Sequence, residues 1–246
     1  MPSDNNGIFV RLPSLEIRYG QGCALAYHLH AHDTYSLGLV LAGATGYQCG
    51  QRHYRLGAGD ALCLAPYTPH ACNPEGGVWR YLMCQIDAGL WPQDVVADGA
   101  PLRDGALNAA LLALWHQARC GAEVAMAWQR VAAVLQQVQG RAQAAEKWRE
   151  MLAMLPTDGE SVAAWAASAA VSPRQLARLL APSGMSPHQW LLNRRINRGK
   201  ALLCEGRTLA EVALATGFAD QAHFQRQFKR LTAVTPGQYR GVNEKG

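Results

Sequence analysis

Long apolar runs are missing from this 246-residue chain, although 49% of its residues are hydrophobic. No stretch approaches the roughly 20 consecutive apolar residues that a membrane-spanning helix needs, so no membrane partner is expected. The N-terminus, MPSDNNGIFVRL, has no basic segment leading into an apolar one; no secretory signal is expected, and the expected location is the cytoplasm. Paired cysteine motifs are absent too. The seven cysteines contain no C-x-x-C, and their odd number argues for reduced thiols rather than a disulfide framework. Most lie in apolar runs such as ALCLAP and YLMCQI, which reads as buried structural cysteine; a redox or soft-metal sensor is the alternative. Acidic residues are scarce in one region only. Residues 161–246 carry twelve Lys and Arg against four Asp and Glu, whereas residues 1–160 hold eleven against fourteen. A basic C-terminal third behind a mildly acidic remainder points to a polyanionic partner, the alternative being a solvated basic face.

Residues 8–87 alternate like strands broken by turns. Candidate strands are 23–30, 35–41, 45–49, 52–56, 61–64 and 79–86, with turns at Gly50-Gln51 and at 57–60. Many short strands at close spacing predict a sandwich or small barrel. Two histidine groups fall here. If residues 28–32 are extended, His28, His30 and His32 point to one face, because strand side chains alternate. The second group is Pro66-Tyr67-Thr68-Pro69-His70. From about Leu102 the period becomes helical: Leu107, Leu111, Leu114 and Trp115, then Val124, Trp128, Val131, Leu135 and Val138. These two stripes must be buried on the barrel, on each other, or on a second subunit. The small polar run at 140–145 is the expected domain boundary, and a third helix is expected over 146–155.

The C-terminal third repeats. Residues 161–191 align with residues 208–240 at a period of 47 to 49, pairing Ser161 with Thr208, Ser172 with Asp220, and Ser186-Pro187 with Thr235-Pro236. All of these are helix-starting residues, and Ser172-x-x-Gln175 and Thr208-x-x-Glu211 fit the capping box. Each copy reads as a short amphipathic helix, a turn (Gly217-Phe218 in the second copy) and a second helix, which is a helix-turn-helix. In the second copy Phe224, Phe228 and Leu231 form the buried stripe and leave Gln221, Gln225, Arg226 and Lys229 outward. A long helix over 186–205 joins the copies. If both recognition helices enter one face of B-DNA, they reach successive major grooves about 34 Å apart.

The C-terminal residues closely resemble the AraC family of bacterial transcription regulators. The resemblance rests on Arg195-Ile196 with Leu202-Leu203, Thr208-Leu209-x-x-Val212-Ala213, Gly217-Phe218, Phe224-x-Arg226-x-Phe228-Lys229 and Thr235-Pro236-x-x-Tyr239-Arg240. The first copy departs from the family pattern: Ala170-Val171 stand where a Gly is usual, and Leu180 stands where an aromatic is usual. Gly199 replaces an Ala inside the joining helix, which should cost about 1 kcal/mol in helix propensity. The N-terminal histidines, with Gly59-Asp60, Pro66 and His70, loosely resemble the cupin barrel, but Tyr35 and Ser36 occupy the place of its metal-binding carboxylate.

The resemblance implies an α+β protein of two domains. A cupin-like antiparallel barrel for effector sensing would span 1–101, a helical pair for dimerisation 102–140, and an all-α DNA-binding domain with two helix-turn-helix units 146–246. The implied function is a sequence-specific DNA-binding transcription regulator, not an enzyme, acting as a homodimer with RNA polymerase. By matching position, Arg174, Ala177 and Arg178 would meet base edges from the first unit, and Gln221, Gln225 and Arg226 from the second; Arg suits guanine and Gln adenine. Ser172, Arg194, Arg195, Thr208, Lys229 and Arg230 are phosphate candidates, and His223 is expected to pack or touch phosphate. His28, His30, His32, Tyr35 and His70 are the candidate effector pocket. No cofactor is required on this reading. A divalent metal on His30, His32 and His70 is the alternative, and with it a metal-dependent cupin enzyme carrying a helical accessory domain.

Overall fold

The structure is a computed structural model describing residues 8–22, 28–76, 78–121, 123–138, 151–152, 155 and 161–240. The expected boundary at 140–145 and most of the expected helix at 146–155 lie outside these residues. The N-terminal strands are β1 (Ile8–Leu12), β2 (Leu15–Gly22), β3 (Tyr35–Ala42), β4 (Ala44–Cys49), β5 (Arg52–Gly57), β6 (Ala61–Leu64), β7 (His70–Pro74), β8 (Trp79–Ile86) and β9 (Asp98–Leu102). They form two antiparallel sheets, one of six strands in the order β1-β2-β8-β3-β6-β9 and one of three in the order β5-β4-β7.

Strand periodicity assigns the two faces of the larger sheet. Val40, Leu62, Leu64, Trp79 and Tyr81 face the smaller sheet and pack with its Tyr47, Cys49 and Leu56. The alternate residues Leu37, Leu39, Ala61, Cys63, Leu82, Cys84 and Ile86 face two helices, α1 (Gly105–Cys120) and α2 (Val124–Val138). Both faces are therefore buried, which is why a strand such as ALCL is apolar throughout. Leu107, Leu111, Leu114, Trp128, Val131 and Leu135 of the helices join that same core. The helical stripes thus bury on their own sheet and on each other, and it is other residues, Leu112 and Met126, that remain about half exposed. Asp104 starts α1 by accepting from the Leu107 amide, and Gly121 ends it in the left-handed conformation.

The histidine segment differs from expectation. Residues 28–32 do not form a strand; only His30 pairs, in an isolated bridge with His70. His28 is exposed while His30 is buried, so the three imidazoles do not share one face. The strands β1, β2, β7 and β9 were not among the candidates.

The C-terminal helices are α3 (Val162–Ser168), α4 (Pro173–Leu180), α5 (Pro187–Cys204), α6 (Leu209–Ala215), α7 (Gln221–Thr232) and α8 (Pro236–Arg240). The repeat is borne out in its hydrogen bonds. Ser161 and Thr208 cap α3 and α6; Ser172 and Asp220 cap α4 and α7; complete capping boxes stand at Ser172/Gln175, Ser186/Gln189 and Thr208/Glu211. Thr235 and Gln238 make the matching pair of bonds before α8. The turns match as well. Val171 donates to the Ala166 carbonyl as Phe218 does to Ala213, and the turn residues Ala170 and Gly217 both have positive φ, 53° and 71°.

Each unit has its own core. Trp165, Leu176, Leu180, Met185 and Trp190 fill the first; Val212, Phe218, Phe224, Phe228 and Tyr239 fill the second. Gly199 belongs to the second. A Cβ there would stand 2.8 Å from the buried Phe224 ring. The residue read in the sequence as a propensity cost is a close-packing position between α5 and α7.

Candidate functional site

Two surfaces carry the chemistry. The first is the outer face of the recognition helices. Burial of Leu176 and Leu180 on α4 turns Arg174, Ala177 and Arg178 outward, all exposed. Burial of Phe224 and Phe228 on α7 turns Gln221, Arg226, Lys229 and Arg230 outward, with Gln225 partly covered. His223 lies edge-on to Phe218 at 5.3 Å, a packing contact. The remaining phosphate candidates are partly engaged within the domain. Arg194 donates to the Leu155 carbonyl at 2.8 Å and Arg195 to that of Gly217 at 3.4 Å. The hydroxyls of Ser172 and Thr208 accept from their own helix starts, so what those positions offer outward is helix N-terminal backbone.

The second is a cavity of about 100 Å³, open to solvent on one side, lying between the sheets and the helical domain. Its apolar wall includes Val40, Leu56, Leu62, Trp79 and Tyr81; Arg18, His30, His32 and His70 bring polar atoms; Lys200 of α5, Leu231 and Thr232 of α7, Val234 and Tyr239 close it from the C-terminal side. Of the expected pocket residues, His30, His32 and His70 line it. His28 does not, and Tyr35 is instead stacked on Trp91 with ring centroids 4.5 Å apart. Burial pushes the His70 imidazole down to about 4. Burial, then the neighbouring His70, hold His30 well below the usual range; burial, then Lys200, do the same for His32. All three are neutral at pH 7. Burial also lowers Lys200, against the attraction of Glu16 and Asp33.

Sequence reasoning missed the residues that join the domains. The Asn193 amide brackets Ala31, accepting from its N–H at 3.0 Å and donating to its carbonyl at 2.7 Å; Asn197 donates to the same carbonyl at 3.2 Å. Lys200 Nζ lies 3.4 Å from His32 Nδ1. These three residues follow a helical spacing on α5, the helix that joins the two units. On the other side Arg11 donates to the Tyr239 carbonyl at 3.0 Å, Tyr239 donates to Glu16 at 3.1 Å, and Arg18 donates to the Thr232 carbonyl at 3.1 Å. Phe9 enters the second unit's core, and Leu29 and Ala31 the first's.

Comparison with known proteins agrees with this two-part construction. The family model described as an AraC-like ligand binding domain matches residues 14–147, and one described as a helix-turn-helix domain matches residues 165–241. The chain belongs to the AraC family. Among curated relatives, the HTH-type transcriptional regulator MtrA of Neisseria gonorrhoeae is 38% identical over 87 residues, 35% of this chain and 29% of that protein. The arabinose operon regulatory protein of Escherichia coli is 36% identical over 87 residues, 34% of this chain and 30% of that protein. The matched region thus spans under a third of the length of either relative. Among solved structures, ToxT from Vibrio cholerae O395 bound to (E)-4-(8-methylnaphthalen-1-yl)but-3-enoic acid has a TM-score of 0.65 at 12% identity, covering 93% of this chain and 99% of that one. Unsaturated fatty acid bound ToxT of strain SCE256 gives 0.61 at 12% identity, covering 98% of each chain. At that identity the likeness establishes the fold alone: an antiparallel-sheet domain followed by a helical domain. No described helix is long and apolar enough to cross a membrane.

Proposed function

We propose that this AraC-family regulator binds specific DNA through α4 and α7 and senses a small apolar organic anion in the interdomain cavity. The observation that carries the reading is the cavity's ownership: its walls come from both domains, so a ligand there contacts the DNA-binding half directly. Differential contact of that kind is what a ligand needs to shift a conformational equilibrium. The apolar wall suits a hydrocarbon or aromatic body, and Arg18 and Lys200 at the polar end suit an anionic group. The two ToxT structures, bound to an arylbutenoic acid and to an unsaturated fatty acid, support this class of ligand. Base readout is assigned to Arg174, Ala177, Arg178, Gln221, Gln225 and Arg226, and phosphate contact to Lys229 and Arg230 with the amides that open α4, α6 and α7. Pairing of two copies through α1 and α2 in a cytoplasmic regulator belongs to the same reading, and the half-exposed Leu112 and Met126 support it. The characterised relatives are regulators, which favours this over a metal-dependent enzyme.

The test is a fluorescence-anisotropy titration of the full chain against its own upstream DNA at several salt concentrations. The expected result is a log–log slope of about −4 or steeper, since each neutralised phosphate contributes about −0.9, and a midpoint that moves when a long-chain carboxylic acid is added. A flat salt response would refute DNA binding; a steep one that no apolar acid moves would refute the ligand class alone.

A further inference from the structure

The α5 helix meets the N-terminal domain along Asn193, Asn197 and Lys200. Beside that stripe, and sharing no lining residue with the cavity, a crevice of about 300 Å³ opens to solvent. Arg194 and Arg198, one turn apart on α5, bring two guanidiniums to it; Asp33 and Tyr67 face them from the N-terminal domain. Leu155 and Ala201 add apolar surface. The volume lies at the small end of the range for organic ligand sites.

Two features distinguish this crevice from a surface where opposite charges have simply met. Asp33 and Arg194 border the same space, yet no ion pair joins them among the described residues. The Tyr67 phenol feels both: burial, then the Asp33 carboxylate, push it up, and Arg194 pulls it down. The second feature is the backbone beneath that ring. Tyr67 has a φ of 60°, a left-handed conformation that bulky side chains rarely adopt. Its amide donates to the His32 carbonyl at 2.6 Å, which sets Tyr67 beside Asp33. Strain of this kind persists only where the surroundings over-determine it. Opposite charges are thus held apart across a small space instead of closing on each other.

A bare anion would gain the two guanidiniums but meet the Asp33 carboxylate; a bare amine would meet the reverse. A molecule carrying both signs satisfies both walls. We propose that the crevice binds an α-amino acid with an apolar side chain, its carboxylate on Arg194 and Arg198 and its ammonium on Asp33. The planar fork of a guanidinium suits a carboxylate. Asn197 spends its Nδ2 on the Ala31 carbonyl, which leaves Oδ1 as a further acceptor for the ammonium. Leu155 and Ala201 receive the side chain. The ligand bridges Asp33 of one domain to α5 of the other, so it favours the docked arrangement in which both walls are present. The site stands whether or not DNA is the partner and whatever the cavity holds.

The experiment is equilibrium dialysis of the full chain against L-leucine, L-methionine and L-phenylalanine, with inorganic phosphate and isopentylamine as probes of a single sign. Expected is one equivalent of at least one amino acid, bound about tenfold or more tighter than either single-sign probe. Asp33 and Arg198 are exposed, so both can be changed in a folded chain, which circular dichroism checks. Asp33→Asn should weaken the amino acid about tenfold or more and strengthen phosphate, because the repelling carboxylate is gone. Arg198→Met should weaken amino acid and phosphate together. Retention of none of the three amino acids, phosphate or the amine binding as tightly as they do, or an amino-acid affinity unchanged in either variant would overturn the site.

Discussion

Replacing Asn193 with Ala should undock the two domains further than any other single change on α5. Asn193 is only 4% exposed and Ala31 only 1%, so water cannot replace what the amide supplies. The two bonds are not equivalent. The Ala31 carbonyl keeps a second donor, Asn197 Nδ2 at 3.2 Å, whereas the Ala31 N–H donates to Asn193 Oδ1 at 3.0 Å. The loss is therefore dominated by one buried, unsatisfied backbone donor, worth about 1–3 kcal/mol, with a fraction more for the emptied volume. Asn197→Ala removes the redundant donor and should cost only about 0.5–1 kcal/mol. At about 2–4 °C per kcal/mol for a chain of this size, Asn193→Ala should lower Tm by about 2–12 °C and Asn197→Ala by about 1–4 °C. Thermal melts followed by tryptophan fluorescence measure both, because buried tryptophans stand in each half, Trp128 in one and Trp165 and Trp190 in the other. If Asn197→Ala costs as much as Asn193→Ala, the assignment of the Ala31 N–H as the critical group is wrong.

Three other outcomes follow from the helical domain. Arg226→Ala should weaken specific DNA binding by about 1–3 kcal/mol without changing the melt, since the side chain is exposed; wild-type operator affinity would remove it from the base-contact set. Gly199→Ala should destabilise, because overpacking against Phe224 costs about 1–3 kcal/mol while helix propensity returns only about 1 kcal/mol; a raised Tm would show that the ring yields. Ala170→Gly should raise Tm slightly, since a left-handed alanine costs about 1–2 kcal/mol and part of the gain is lost to the freer unfolded chain; a lowered Tm would show that the Ala170 methyl packs.

What was legible in the sequence was whatever repeats or is paired locally. N-caps satisfy backbone groups within three residues of themselves, so the starts at Ser161, Ser172, Thr208 and Asp220 could be read without tertiary context, and with them the duplicated unit. The apolar periods of α1 and α2 could be read, but not their destination, because a stripe looks the same whether it meets a sheet or a second subunit. The histidine segment failed for a related reason. Alternation assumes an extended chain, and between His28 and His32 only His30 finds a strand partner. Asn193, Asn197 and Lys200 were unreadable in principle: polar residues on one side of a helix signify solvent until the partner, here Ala31 and His32, is known. Gly199 shows the same limit from the other direction, since propensity scales describe a helix alone and Phe224 belongs to a different one.

Because Lys200, Leu231, Thr232, Val234 and Tyr239 close a cavity whose other walls come from the N-terminal domain, a binding constant for any occupant is a property of the docked pair of domains. A truncated N-terminal half would present an open trough and should report a weaker constant. By linkage, the ratio of the two constants equals the factor by which the occupant stabilises docking. The energy that passes between cavity and recognition helices can thus be obtained from two titrations in which no DNA is present.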